Sequence, residues 1–420
     1  MLFSLLMLVL VAAIVFFHYV QGLFSSFLSA VIAAVAAVVA IGFHEQVVFW
    51  LAGGQLADIA HGAVMCGLFG AVYAGLRFAF DALVPGNVNF GVWPNRIGGA
   101  VMGLVAAFFG VGTLAVATQA LPFSPSILGY SRWEVNENRV NLVGVPDWAR
   151  VGRSGDIVDK LVMYDQLKDA RLEPSRASGM LLPLDDFVIG FVSMVSSGSL
   201  AGDTPWSAVH PDYVNELFAQ RLGLQPGAKR TAFPQDGQDQ IEVLGLARLP
   251  ETGVPQIDGE LPEFRPPGAT FEPVLRAEPG KTLVMVRVIV RNDATDSDNR
   301  VRFSLANFRL VAGGQNYYPV ALLRGTRQAV HQRADDFLIM EGGKGVDLVF
   351  EVNPDHLVGP DVDIRSPEAR VARGVFLEFK RLSRASLAGK EVLGPDDFET
   401  DPRTEASVLR RRGWPPEPKR

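Results

Sequence analysis

The chain has 420 residues and a formal net charge of −6, which is room for two or three domains. Those totals conceal two unlike parts. Residues 1–121 carry only Glu45, Asp58, Arg77, Asp81 and Arg96, and the other 79 charged side chains follow them. No sustained basic face marks a nucleic-acid binder, and the single cysteine, Cys66, excludes a disulfide framework and a thiolate metal site.

About 20 apolar residues in a helix cross the hydrocarbon core of a bilayer. Four stretches meet that requirement: Leu2–Val20, Leu23–Gly42, Ala57–Phe80 and Ile97–Leu121. The first lacks a basic n-region, and Val11-Ala12-Ala13 lies too deep in the apolar run to be a cleavage site. It therefore reads as a retained helix. Helices associate in lipid through close backbone approach, because apolar side chains gain nothing by leaving apolar tails. The second stretch supplies Ser29-Ala30-Val31-Ile32-Ala33-Ala34-Val35-Ala36-Ala37 for this purpose. The fourth supplies Gly99 and Gly103, one turn apart, with Gly98, Ala106 and Gly110 nearby. A tight four-helix bundle is expected, with Gly99 and Gly103 against the second helix. Cys66 reads as a small core residue.

The connections His18–Gly22, Phe43–Leu56 and Asp81–Arg96 are short, and Trp93 and Pro94 suit an interfacial turn. Asp58 and His61 share a face at the start of the third stretch, and His44-Glu45 precedes it. These groups admit a proton or metal relay. Because none lies at mid-span, interfacial capping and solvation is the favoured reading. Arg77 is expected to snorkel towards headgroups. Arg77 and Arg96 flank the loop 81–96, which by the positive-inside tendency is cytoplasmic and leaves both termini outside, although Arg132 and Arg139 oppose this.

Residues 122–239 read as a partly helical juxtamembrane region and linker. Pro183-Leu184-Asp185-Asp186 starts a helix whose stripe is Phe187, Phe191, Met194 and Val195, either lying in the bilayer plane or buried. A second helix follows Pro211-Asp212, with Val214, Leu217 and Phe218 inward. Residues 223–239 and 248–268 read as linkers. Gly152-Arg153-Ser154-Gly155-Asp156 and Gly198-Ser199 are not Gly-x-Ser-x-Gly, and the scattered His210, His331 and His356 offer no paired base.

From Gln240 to Leu393 the pattern alternates, as in Val284, Val286, Val288 and Val290. Val301, Phe303 and Leu305 continue it, and Phe308 and Leu310 fall out of phase, which suggests a bulge near Ala306-Asn307. Val346, Leu348, Phe350 and Val352 form another strand, and Val375, Leu377 and Phe379 a last one. Turns are expected at Asp293–Asn299, Gly313-Gly314 and Gly342–Gly345. An antiparallel β-sandwich is expected over 240–393. Residues 394–420, with Arg410-Arg411-Arg412, read as a disordered tail.

Two runs carry a family resemblance. Tyr19-Val20-Gln21-Gly22-Leu23-Phe24 and Asn95-Arg96-Ile97-Gly98-Gly99-Ala100-Val101-Met102-Gly103 resemble the first turn and fourth-helix entry of the colicin V production protein (CvpA) family. The basic residues usual in that turn are replaced by Val20 and Gln21, and a usual Lys-Gly pair by Ala106-Ala107. The resemblance covers 1–121 and implies a bacterial inner-membrane four-helix protein, non-enzymatic, with a role in toxin production and export or in envelope maintenance. Residues Val286–Asn292, Asn307-Phe308-Arg309-Leu310, Tyr318-Pro319-Val320 and Gly343–Asn353 resemble the immunoglobulin-like domain of bacterial cell-surface lipoproteins, which binds or spaces.

The sequence thus implies an α-helical membrane bundle, a mixed α region and an all-β immunoglobulin-like sandwich. It implies no cofactor, metal or catalytic residue. Its partners would be the bilayer and other membrane or envelope proteins, with self-association open, and the C-terminal region would be extracytoplasmic. Candidate packing residues are Gly98, Gly99 and Gly103; candidate interfacial polar residues are Asp58, His61, Arg77 and Arg96. A solute or proton transport path is the alternative function, and a membrane-anchored hydrolase a second.

Overall fold

The computed structural model describes residues 2–51, 57–84, 90–124, 126–131, 180–197, 205–221, 240–251, 253–258, 274–291, 300–324, 328–331, 337–343, 345–357, 375–387, 392–393, 399–400 and 407–408. Ser154, Ser199, Arg132, Arg139, the turn 293–299 and Arg410–Arg412 lie outside the described residues. The chain divides into two compact units. The first is 1–134 with 174–221, and the second is 135–173 with 222–420.

The first unit is helical. Helices α1 (Leu2–Gln21), α2 (Leu23–Leu51), α3 (Ala57–Leu83) and α4 (Val92–Ala120) are all long and apolar enough to cross a membrane. Gly22 separates α1 from α2 at φ +93°, a conformation that L side chains rarely adopt. Asn95 stabilises this break, its Oδ1 accepting the Leu23 N–H at 2.8 Å. Helix α4 is the hub, since α1, α2 and α3 all pack on it. Its buried residues include Gly99, Gly103, Ala106, Ala107, Gly112, Ala115 and Ala117, so backbones rather than bulky side chains set the spacing.

The glycine expectation needs correction. A Cβ on Gly99 would lie 2.6 Å from the His18 carbonyl oxygen, and one on Gly103 would lie 2.5 Å from the His18 Cβ. Both glycines therefore receive the end of α1, while Gly98 meets α2 at Leu23. His18 is helical and buried instead of belonging to a loop. The alanine face of α2 (Ala30, Ala33, Ala37, Ala40) joins a core with Met65 of α3 and Ala106, Phe109, Val116 and Ala117 of α4. Cys66 is exposed, not a core residue.

Three shorter helices complete the unit: α5 (Leu184–Ser197), α6 (Trp206–Val209) and α7 (Tyr213–Ala219). Helix α5 starts where its sequence suggests, and it packs on α4: a Cβ on Gly112 would sit 2.6 Å from the Leu184 carbonyl. Its buried face is Leu184, Val188, Ile189 and Val192, one step round from the expected stripe. Phe187 is exposed but its ring meets Phe108 and Phe109, and Phe191 meets Phe109. In α7, Val214, Leu217 and Phe218 are buried as expected.

The second unit is made of β-sheets. Its strands are β1 (Ile241–Arg248), β2 (Val254–Asp258), β3 (Val274–Leu275), β4 (Thr282–Val290), β5 (Arg300–Ser304), β6 (Phe308–Ala312), β7 (Gln315–Tyr317), β8 (Pro319–Arg324), β9 (Gln328–His331), β10 (Phe337–Glu341), β11 (Gly345–Val352), β12 (Phe376–Phe379), β13 (Ser383–Ser386) and β14 (Val392–Leu393). A largely antiparallel eight-stranded sheet runs β14-β1-β4-β11-β8-β9-β2-β3, and a four-stranded one runs β13-β12-β6-β7. Val284, Val286, Val288 and Val290 share one core with Phe303, Phe308, Leu310, Leu348, Phe350, Leu377 and Phe379, in the phase that the alternation implies.

The anticipated bulge is a strand switch. A 3-10 turn at Leu305–Asn307 takes the chain from β5, which pairs with β10, to β6, which pairs with β12. Asn307 Oδ1 accepts the Ser304 N–H at 2.8 Å and holds that turn. Gly313 and Gly314, both at positive φ, close the β6–β7 hairpin. Strand β2 occupies part of the expected linker 248–268, where Pro and Gly masked a short strand at the side of the large sheet. Within 394–420, Glu399-Thr400 pairs with Ser407-Val408 instead of being wholly disordered.

Candidate functional site

The densest group of buried ionisable side chains in the helical unit lies where α2 outlasts its apolar run. About twenty residues would suffice to cross, but the helix continues through Phe43-His44-Glu45 to Leu51. That extra length carries His44 and Glu45 towards α3, α6 and α7. His44 and His61 are fully buried, so neither is solvated as the sequence reading held. Their rings are 5.6 Å apart, edge to face.

Hydrogen bonding fixes the role of one nitrogen of the His44 ring. Nδ1 lies 2.8 Å from the Ile41 carbonyl oxygen, which can only accept, so Nδ1 carries a proton. In the neutral ring Nε2 is then an acceptor, and the Tyr213 hydroxyl donates to it at 2.8 Å. This bond joins residues 169 apart and places α7 against the end of α2.

His210 is the second half of the cluster. It stands between α6 and α7, its ring 5.1 Å from Trp206 and 5.0 Å from Tyr213. Nδ1 donates to Glu216 Oε2 at 2.7 Å, and Nε2 faces Glu45 Oε1 at 3.3 Å. A ring with a carboxylate at each nitrogen is best satisfied as imidazolium, with both nitrogens donating. Burial alone would push its pKa down. The charges and hydrogen bonds of Glu45 and Glu216 together outweigh burial and hold it above the ordinary histidine value. Glu216 is also buried, and the Asp212 backbone N–H approaches its Oε1 at 3.4 Å.

Two further polar ties sit elsewhere in this unit. Asp185, buried in the first turn of α5, accepts from Gln119 Nε2 at 3.0 Å and from the Tyr130 hydroxyl at 2.9 Å through the same Oδ2. Its charge also lies at the favourable end of the helix dipole. Arg77 does more than reach outward. It donates to the Ser25 carbonyl, to Ser25 Oγ at 2.8 Å and to Ser29 Oγ at 3.2 Å, tying α3 to α2, while Asp81 holds its Nε at 3.0 Å.

Of the other sequence candidates, Arg96 is exposed with its guanidinium 5.6 Å from the Tyr19 ring centre, and Asp58 is half-buried at the start of α3. His61 joins the buried cluster and Asp58 does not share its burial. Missed entirely were Tyr213, Trp206 and Glu216, and His210 reads in sequence as a scattered histidine with no paired group. Their spacing of three or four residues is a weak helical signal, and Pro211 interrupts it. Among the described residues, no three His, Cys, Asp or Glu side chains are placed to hold a metal ion.

The β unit has its own buried ions. Arg309 on β6 lies directly opposite Glu378 on β12, which lies opposite Arg384 on β13. Arg309 is fully buried and its Nη2 donates to Glu378 Oε1 at 2.8 Å, while Arg384 Nε donates to Oε2 at 2.5 Å. Arg287 and Asp347 make a bidentate pair across β4 and β11.

Together these features define a protein with four helices of membrane-spanning character and a separate unit of largely antiparallel sheets. Comparison with protein-family models, curated proteins and solved structures gave no match.

Proposed function

We propose that this protein is a non-enzymatic, multi-pass membrane scaffold of the colicin V production type. In this reading it resides in the bacterial inner membrane and serves toxin production and export or envelope maintenance. Residues 240–393 act outside the cytoplasm as an immunoglobulin-like binding or spacing domain. The observation that carries the scaffold reading is the open surface of α3. Only 6% of its most apolar window is buried, against 50% in α2 and 56% in α4. Ala63, Gly67, Ala71 and Gly75 recur at every fourth position along it, all exposed. Nothing among the described residues lies within 4 Å of a Cβ built on Gly67, Gly70 or Gly75. A helix lined with small residues lets a second helix come close, which is how association gains energy in lipid. The resemblance of the first and fourth helices to the colicin V production family supports the same reading, as does the common core shared by the two main sheets.

Cys66, exposed beside Gly67, provides the test. Oxidative or bismaleimide cross-linking in intact membranes should yield a Cys66-dependent adduct with a second membrane protein or a second copy. Gly67→Leu should abolish it. Only monomer under all conditions would count against the scaffold. A second reading, a proton path, is favoured by one observation, the buried run His61, His44, Tyr213. Proton flux into proteoliposomes that is lost in His44→Gln would support it.

A further inference from the structure

Helices α6 and α7 join the apolar core of the bundle through Trp206, Tyr213, Val214 and Leu217, and an ionic contact is added to that packing. His210 lies between two carboxylates that belong to different parts of this unit, Glu45 at the end of α2 and Glu216 on α7 itself. The ring is buried, Glu216 is buried, and Glu45 is nearly so, with its side chain 16% exposed. We propose that protonated His210 is a pH-dependent latch that fastens segment 205–221 to the end of α2.

The geometry explains why a proton should control the contact. Imidazolium can donate from both nitrogens and so bridges Glu216 and Glu45 at once. Neutral imidazole has one N–H. It can keep the shorter bond to Glu216 or the longer one to Glu45, and not both. Loss of the proton also removes the positive charge that His210 sets between the two carboxylates, in surroundings that water screens poorly. The other titratable and charged groups near this point are engaged as follows. From α2, His44 is engaged with Ile41 and Tyr213. From α3, His61 faces the His44 ring. On the segment itself, Asp212 accepts from Asn215 and offers its backbone N–H to Glu216, and Arg221 donates from Nε to the Leu217 carbonyl.

The direction of the effect follows from linkage. The His210 pKa is raised in the folded protein, mainly by Glu45 and Glu216 acting against burial. The latch is therefore fully closed below the ordinary histidine value and is lost as pH rises through the raised one. Each unit of elevation corresponds to about a tenfold change in the closing equilibrium. Alkaline conditions weaken the hold of α2 on α6 and α7, and acid conditions strengthen it.

Hydrogen exchange of the full-length protein in detergent tests this, from about pH 6 to about pH 9, corrected for the intrinsic pH dependence of exchange. Amides of 213–219 should lose protection as pH rises across that range, while those of α5 stay constant. His210→Gln, which keeps a polar side chain and has no titratable proton, should flatten the profile at the weakly protected level. Glu45→Gln, which removes one arm of the bridge, should shift the loss to lower pH. Constant protection of 213–219 in the wild-type protein would overturn the latch. So would parallel loss in α5, which would signify general loosening, or a wild-type profile in His210→Gln.

Discussion

The helical and β units both bury ions, but they place them by different rules. In the helical unit the buried and half-buried polar groups join segments far apart in sequence: His44 with Tyr213, Gln119 with Asp185, and Arg77 with Ser25. Each marks a point where one element is fastened to another. In the β unit the buried ions face one another on adjacent strands in register, Arg309 with Glu378 and Arg287 with Asp347. There the pleat decides, because alternate residues of a core strand must point away from the Val and Phe layer. Polar burial in the bundle reports attachment, and in the sheet it reports register.

If that contrast is sound, the largest effect of removing one ion should come from the sheet. Glu378 answers two guanidinium groups, one of them fully buried. Glu378→Ala leaves Arg309 without its carboxylate and should destabilise the β unit by about 3–5 kcal/mol. Chemical denaturation of the full-length protein, with hydrogen exchange resolving β6 and β12, would read this directly. Replacing Arg309 and Glu378 together with apolar residues of similar volume should recover much of the loss, because the cost is that of an unpaired charge.

The helical unit should respond most to backbone spacing. Gly103→Leu must drive α4 away from His18 on α1, where even a Cβ has no room, at a cost of about 1–3 kcal/mol. Unchanged thermal stability in detergent would put this glycine on the lipid face. Tyr213→Phe ranks below it. The variant keeps the ring against His210 and Trp206 but removes the buried hydrogen bond to His44 Nε2, at a cost of about 1–2 kcal/mol. Exchange in 213–219 should rise and that in α4 should not.

These positions also separate what the residues disclose from what only the fold decides. The four spans are legible because an apolar run of about twenty residues with almost no charge suits a bilayer and little else. The β core is legible because period-two alternation names its inward residues directly. The partner of a residue is not legible. Gly99 and Gly103 announce close approach but carry no label for α1 or α2, and both alanine-rich α2 and the end of α1 could have filled the place. The inner face of α5 is ambiguous because its apolar arc is wide, so Phe187 and Met194 compete with Val188 and Val192 for it. His44 reads as a loop residue since hydropathy falls after Gly42, although nothing in the following residues stops a helix. Helix propensity, not hydropathy, governs where α2 ends, and the buried cluster depends on that difference.

The smallest effect separates the two ends of a single ion pair. Arg77 and Asp81 form an i, i+4 pair with Arg77 first, the less favourable order relative to the helix dipole, and the Asp81 side chain is 58% exposed. Asp81→Asn should therefore cost no more than about 0.3–0.5 kcal/mol, and less in added salt. Arg77→Met removes the same pair and also the bonds to Ser25 and Ser29 on α2, so it should cost about 1–2 kcal/mol more. Thermal melts of the two variants in one detergent make the comparison. Equal losses would mean that Arg77 acts through its exposed carboxylate and that the serines of α2 are bystanders. A salt-independent excess in Arg77→Met would locate its contribution between the helices, where the bundle's other polar ties also lie.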